Sequence, residues 1–158
     1  MRLRLLVPTD FSTPSLALVR SAVAWAQTLD GSLLLLHVVE GAPVRSYAVG
    51  RRPDAPFYWA DLIASPRGRP LLPQLVHHDR CEQAQWKLSG LLPASEHDRF
   101  KRLVVVGKAV DEIVRVAREQ HVDLIMMGRR SHRGLLGLGR RHVADQVARH
   151  LTIPVITV

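Results

Sequence analysis

A single cysteine, Cys81, stands among the 158 residues, which excludes an internal disulfide and makes a reducing cytoplasm the simplest home for the chain. Lysine is nearly as scarce, because Lys87, Lys101 and Lys108 are the only three of the 22 basic residues that are not arginine. No apolar run approaches the ~18–20 residues of a membrane span, so no membrane is expected as a partner. The opening segment MRLRLLVPTDFS has too short an apolar run for a signal peptide, and Pro8 and Asp10 cut it off. Catalytic signatures are missing as well. There is no Gly-x-Ser-x-Gly elbow, no lysine closing a phosphate-binding glycine loop, and no carboxylate pair beside a nucleophile. Ser131 beside His132 is a local dipeptide and not an oriented nucleophile and base. The chain is therefore not expected to be an enzyme.

What is present is an ordinary globular composition, with 47% hydrophobic and 23% charged residues, long enough for one domain with a substantial core. The net charge of +8 favours anionic partners. An arginine-rich genome would give the same balance, so the charge is informative only where the arginines cluster. Leu3 to Val7 reads as a strand ending in Pro8-Thr9-Asp10. Ser12 or Thr13 caps a helix starting at Pro14, with Leu16, Val19, Val23, Ala26 and Leu29 as its apolar stripe and Asp30-Gly31 as its stop. Leu33 to Val39 is nearly all apolar, as expected of a parallel strand covered on both faces. Residues 40 to 73 carry six of the ten prolines, two arginine pairs and the run Phe57-Tyr58-Trp59, and read as a long excursion pinned by its aromatics. A helix from Leu75 to Leu92, a strand from Leu103 to Val106, a helix marked by Val110, Ile113, Val114 and Ala117, and a strand from Leu124 to Met127 follow. A helix to His150 and a strand from Ile153 to Val158 close the chain, with Pro154 suited to a strand end or edge.

The stretch from Asp123 to Val147 is the most informative. An apolar strand stops at Gly128, a loop rich in glycine and arginine follows, and Val143, Ala144, Val147, Ala148 and Leu151 resume at helical spacing. A strand, a glycine-bearing loop and a helix N-terminus in series form an anion-binding arrangement, because free N–H groups point out of that helix end. Arg129, Arg130, Arg133, Arg140 and Arg141, with His132 and His142, make the densest basic cluster. Cations near a helix N-terminus cost about 0.3–1 kcal/mol each, so an anion is expected to compensate them. The loop lacks the interleaved aromatics of single-strand binders, and nucleic acid is not expected. His77, His78, Asp79 and Cys81 lie close together but fit no zinc spacing, so no metal is expected. His37, inside an apolar strand, is expected to be a hydrogen-bonded core histidine.

The alternation of strands and helices predicts an α/β fold with an open parallel sheet and helices on both faces. The ligand crevice then lies at the carboxyl ends of the strands, where their order reverses. If the first strand neighbours the fourth, Asp10 and Gly128 flank it together. The pieces VPTDFS, LLLLHVV, VVVGKAVDEIVRVAREQHVDLIMMG and HVADQVARHLTIPVITV, in this order, resemble the universal stress protein family over almost the whole chain. The resemblance implies a Rossmann-like, five-stranded sheet of order 3-2-1-4-5 and a homodimer joined through the last strand, here Ile153 to Val158. Many members bind ATP through a glycine, two residues, a glycine, nine residues, then glycine and a serine or threonine. Gly128 matches the first position, Ser131 stands at the second glycine, and Arg141-His142 stand at the last pair. Asp10 matches the family's adenosine-side aspartate, Val38 or Val39 the backbone contact to adenine, and Val143 opens the helix beyond the motif.

The base and ribose half of the motif is thus kept and the triphosphate half altered. Glycines let N–H groups approach phosphate oxygens with no Cβ in the way. Arg141 either blocks that approach or takes over phosphate binding through its guanidinium. The resemblance and this alteration together imply a binding or regulatory module of the stress response without ATP binding in the family's usual mode, acting through a protein partner. The alternative is a nucleotide or phosphoanion binder that uses the arginine loop as a clamp, with ATP a possible ligand. A weak ATPase or phosphotransferase is the second alternative.

Overall fold

The computed structural model describes residues 2–41, 72–92, 99–128 and 143–158, with backbone alone for 72–78. Among these residues five strands and four helices alternate: β1 (Arg4–Pro8), α1 (Thr13–Thr28), β2 (Ser32–Glu40), α2 (Leu72–Ser89), β3 (Phe100–Gly107), α3 (Ala109–Glu119), β4 (Leu124–Met127), α4 (Val143–His150) and β5 (Val155–Thr157). All pairings are parallel and the order is β3-β2-β1-β4-β5. The chain winds outward from β1 through β2 to β3 and then returns to place β4 on the other side of β1, where Leu5 meets Leu124 and Leu6 meets Ile125.

Because successive side chains on a strand point to opposite faces, the buried strands supply two cores. Leu5, Val7, Leu33, Leu35 and Val39 pack with Leu18, Val19, Ala22 and Ala26 of α1 and Cys81, Ala84 and Leu88 of α2. Leu6, Leu36, Leu103, Val105, Ile125 and Met127 pack with Ile113, Val116 and Ala117 of α3 and Ala144 and Val147 of α4. The expected helices on both faces are thus present, two to each face.

Several expected details shift. Ser12 is the N-cap of α1, its hydroxyl accepting from the Ser15 N–H, and Pro14 is the second helical residue. The buried face of α1 is Ser15, Leu18, Val19, Ala22 and Ala26, while Leu29 lies beyond the helix at 54% exposure. The small Ala22 and Ala26 allow close packing on the sheet, so the stripe is rotated from the one drawn through the large residues. At the following turn Asp30, with φ of 48°, takes the left-handed position, not Gly31. Gly31 is required for another reason: a Cβ there would sit 2.8 Å from the Leu3 carbonyl oxygen.

Helix α2 starts at Leu72, three residues before the expected Leu75, with Pro73 in its first turn, where a missing N–H costs nothing. Strand β3 runs from Phe100, because the polar Lys101 and Arg102 are compatible with an edge strand. Strand β5 is confined to Val155–Thr157, and Pro154 precedes it, its carbonyl accepting from Ile125 N–H at 3.0 Å. Most of the expected excursion, residues 42–71 with Phe57, Tyr58 and Trp59, lies outside the described residues.

Candidate functional site

The loop after β1 is built by local hydrogen bonds. Thr9 is buried, its N–H donating to the Leu36 carbonyl at 2.8 Å and its Oγ1 receiving the Ser15 hydroxyl at 2.7 Å and the Phe11 N–H at 3.2 Å. Asp10 is exposed, and its Oδ1 accepts the Ser12 N–H at 3.0 Å, an Asx turn that leads the chain into α1. Phe11 is held at a φ of 62°, which places its ring 4.4 Å from that of His37. A left-handed conformation at a residue other than glycine costs about 1–2 kcal/mol. Lys87 Nζ lies over the Phe11 ring at 5.3 Å.

His37 is half-buried, with Nδ1 2.8 Å from the Thr9 carbonyl oxygen. A carbonyl oxygen only accepts, so Nδ1 carries the proton, and the neutral ring keeps Nε2 as an acceptor. Burial holds the His37 pKa below its ordinary 6.5, against the opposing influence of the Thr9 hydrogen bond and the Asp10 carboxylate.

A cavity of about 350 Å³ opens at the carboxyl ends of β1, β2 and β4. That is the point where strand order reverses, between β1 and β4. Asp10, Val38, Gly128 and Val143, all anticipated from the sequence, line it together. Gly128 has no described atom within 4 Å of where a Cβ would stand, so packing against the described residues does not demand glycine there. The N-terminal residues of three helices also reach the cavity, through Ser12 of the α1 cap, Ala109 of α3 and Val143 of α4. Each such end carries partial positive charge, although at α1 Pro14 has no N–H and the Ser15 N–H is taken by Ser12.

Ser131, Arg141 and His142, and the loop arginines Arg129, Arg130, Arg133 and Arg140, lie outside the described residues. The wall has members that the sequence reading missed. Thr9, Glu40 and Arg80 line the cavity, and so does His37, which was expected in the core. Arg80 comes from α2, and its Nη1 donates to the Glu40 carbonyl at 3.1 Å. Its one sequence signal is a charge set beside the apolar stripe of α2, since topology alone brings that stripe to β2.

The fold and cavity define a doubly wound α/β protein with a crevice at the strand-order switch. The chain belongs to the universal stress protein family, whose model matches residues 1–158. Among solved structures, the hypothetical protein MJ0577 is similar at 23% identity and a TM-score of 0.69, with 100% of this chain and 96% of that one covered. A universal stress protein in complex with cAMP is similar at 23% identity and a TM-score of 0.55, covering 99% and 95% of the two chains. A universal stress protein from Archaeoglobus fulgidus in complex with dAMP is similar at 19% identity and a TM-score of 0.54, covering 99% and 97%. At these identities the likeness concerns the fold. No match was found among curated protein sequences.

Proposed function

We propose that this chain is a non-catalytic binding module of the stress response, working in the cytoplasm as a homodimer. Its cavity takes a nucleotide by a mode other than the family's glycine-loop approach. The observation that carries the reading is the convergence of Asp10, Val38, Gly128 and Val143 on one cavity at the strand-order switch. No described atom lies within 4 Å of where a Gly128 Cβ would stand, which supports close approach of a ligand to that backbone. The helix N-termini on the wall supply an environment for an anionic group. The relatives crystallised with cAMP and dAMP support a nucleotide as the class of ligand.

The mode differs because arginine stands at position 141, where nucleotide-binding members have glycine. In this reading the Arg141 guanidinium supplies the hydrogen bonds that backbone N–H groups supply elsewhere.

Calorimetric titration of the full chain with nucleotides, repeated on Asp10→Ala and Arg141→Gly, tests this. Saturable binding by the wild type is expected. Both variants should bind about ten- to a hundredfold more weakly, the scale of a lost hydrogen bond to a charged group. Tighter binding by Arg141→Gly would make the arginine a plug. Silence from wild type and variants alike would leave the module acting through a protein partner without a nucleotide. Nucleotide hydrolysis above background, lost in Asp10→Ala, would overturn the non-catalytic reading.

A further inference from the structure

We infer that His37 couples this cavity to pH: an anionic nucleotide binds more tightly when the His37 ring is protonated, so affinity rises as the surroundings turn acidic. The inference rests on the nucleotide reading above and concerns the regulation of that same site.

Geometry leaves the ring one way to titrate. Nδ1 lies 2.8 Å from the Thr9 carbonyl oxygen and keeps its proton in either charge state, so the proton gained at low pH goes to Nε2. Protonation therefore adds a positive charge without breaking the bond that fixes the ring. The ring is sheltered as well. His37 is half-buried, and the Phe11 ring packs 4.4 Å from it at an interplanar angle of 36°. A charge set partly out of water acts on its neighbours more strongly than one in bulk solvent.

Burial is the largest influence on the ring and disfavours its charged form. The Thr9 hydrogen bond and the Asp10 carboxylate favour that form, while Lys87 and Arg80 of α2 oppose it. Across the sheet the register partner of His37 is the apolar Val104, and Arg102 lies on the same face of β3, opposite Leu35. Glu40 ends β2 on the cavity wall, and α1 has no acidic residue in its first turn. One more anion beside the ring would shift this balance towards the imidazolium.

A bound nucleotide supplies that anion. Thr9, Asp10 and Arg80 line the cavity together with His37, and the ring bonds to the first and feels the charges of the other two. Taken as a sphere, a cavity of about 350 Å³ is narrower than the Debye length of about 10 Å at 0.1 M salt. A phosphate held inside it is therefore not screened from His37. Linkage makes the effect reciprocal: a ligand that raises the proton affinity of the ring is bound more tightly by the protonated protein, by the same factor.

The test is calorimetric titration of the full chain with cAMP at pH 8 and pH 5.5, at a fixed ionic strength of about 0.1 M. The phosphodiester of cAMP keeps one negative charge throughout, whereas a phosphate monoester gains a proton near pH 6. The wild type is expected to bind cAMP about three- to tenfold more tightly at pH 5.5, the scale of two unit charges apart in a partly shielded site. His37→Asn, which keeps an amide donor for Thr9 and has nothing to titrate, should bind within about twofold at the two pH values. Circular dichroism at both pH values checks the fold. Proton NMR of the wild-type ring gives a second reading that needs no variant: its titration midpoint should move to higher pH when cAMP saturates the site. An affinity that does not rise at pH 5.5, a rise that survives in His37→Asn, or a midpoint that stays put would overturn the inference while leaving the nucleotide reading intact. No binding of cAMP at either pH would overturn it as well, and no binding of AMP at pH 8 besides would take the nucleotide reading with it.

Discussion

His37 occupies an uncommon position at the scale of the single residue, because it is at once a strand residue, a hydrogen-bond donor to Thr9 and part of the cavity wall. Its burial disfavours the charged form, so its pKa in the folded state is lowered from 6.5. The sign of the linkage follows. The unfolded chain takes up the proton first as pH falls, so stability is full above about 6.5 and declines as pH drops from there towards the folded-state pKa. Thermal melts between pH 8 and pH 5 should show the transition temperature falling across that window. In His37→Gln the fall should be shallower, although its stability at pH 8 is lower for want of the imidazole packing. A slope identical in both proteins would assign the acid sensitivity to other groups. Phe11 adds to the same environment, since its strained backbone is kept where its ring can cover one side of His37.

Among the elements, α1 shows how a few polar atoms fix the register of a whole helix. The Ser12 hydroxyl accepts from Ser15 N–H at 3.4 Å, a long cap, and Ser15 in turn is tied to Thr9. Ser12→Ala should therefore cost about 0.5–1 kcal/mol, towards the low end of measured cap losses. Urea unfolding should register it as a lower midpoint with unchanged slope. A change in slope would point instead to an altered unfolded state. The same helix shows what was legible beforehand. Its existence, its cap and its stop could all be read, because capping residues and apolar spacing are local signals. Its buried face was drawn one step off, because the choice between Leu16 and Leu18 is made by contact with the sheet. Burial of Ser15 depends on Thr9, a partner that spacing does not reveal. In the cavity Asp10 and Gly128 could be anticipated because each lies within two residues of the end of a strand. Arg80 could not, because α2 follows a long segment and its docking against β2 is a tertiary fact.

At the scale of the molecule, the strand order leaves β3 and β5 as edges among the described residues, and β5 is the one proposed to join two copies. Along β5 the Pro154 carbonyl and the Val158 N–H bond inward to β4, at 3.0 and 3.1 Å. Backbone groups alternate in direction along a strand, so those of Val155 and Thr157 are directed to the open side. Unpaired groups of this kind template pairing with a second strand. The β3 edge is less suited to this, since it carries the charged Lys101 and the half-buried Arg102. Thr157→Pro removes an outward N–H and leaves the inward bonds of Pro154 and Val158 in place. Light scattering at micromolar concentration should give a dimer for the wild type and a monomer for Thr157→Pro, with matching circular dichroism spectra. A monomeric wild type would overturn the dimer. A dimer that persists in Thr157→Pro would move the interface away from β5, for which the exposed Trp25 of α1 and Trp86 of α2 are the next surfaces to change.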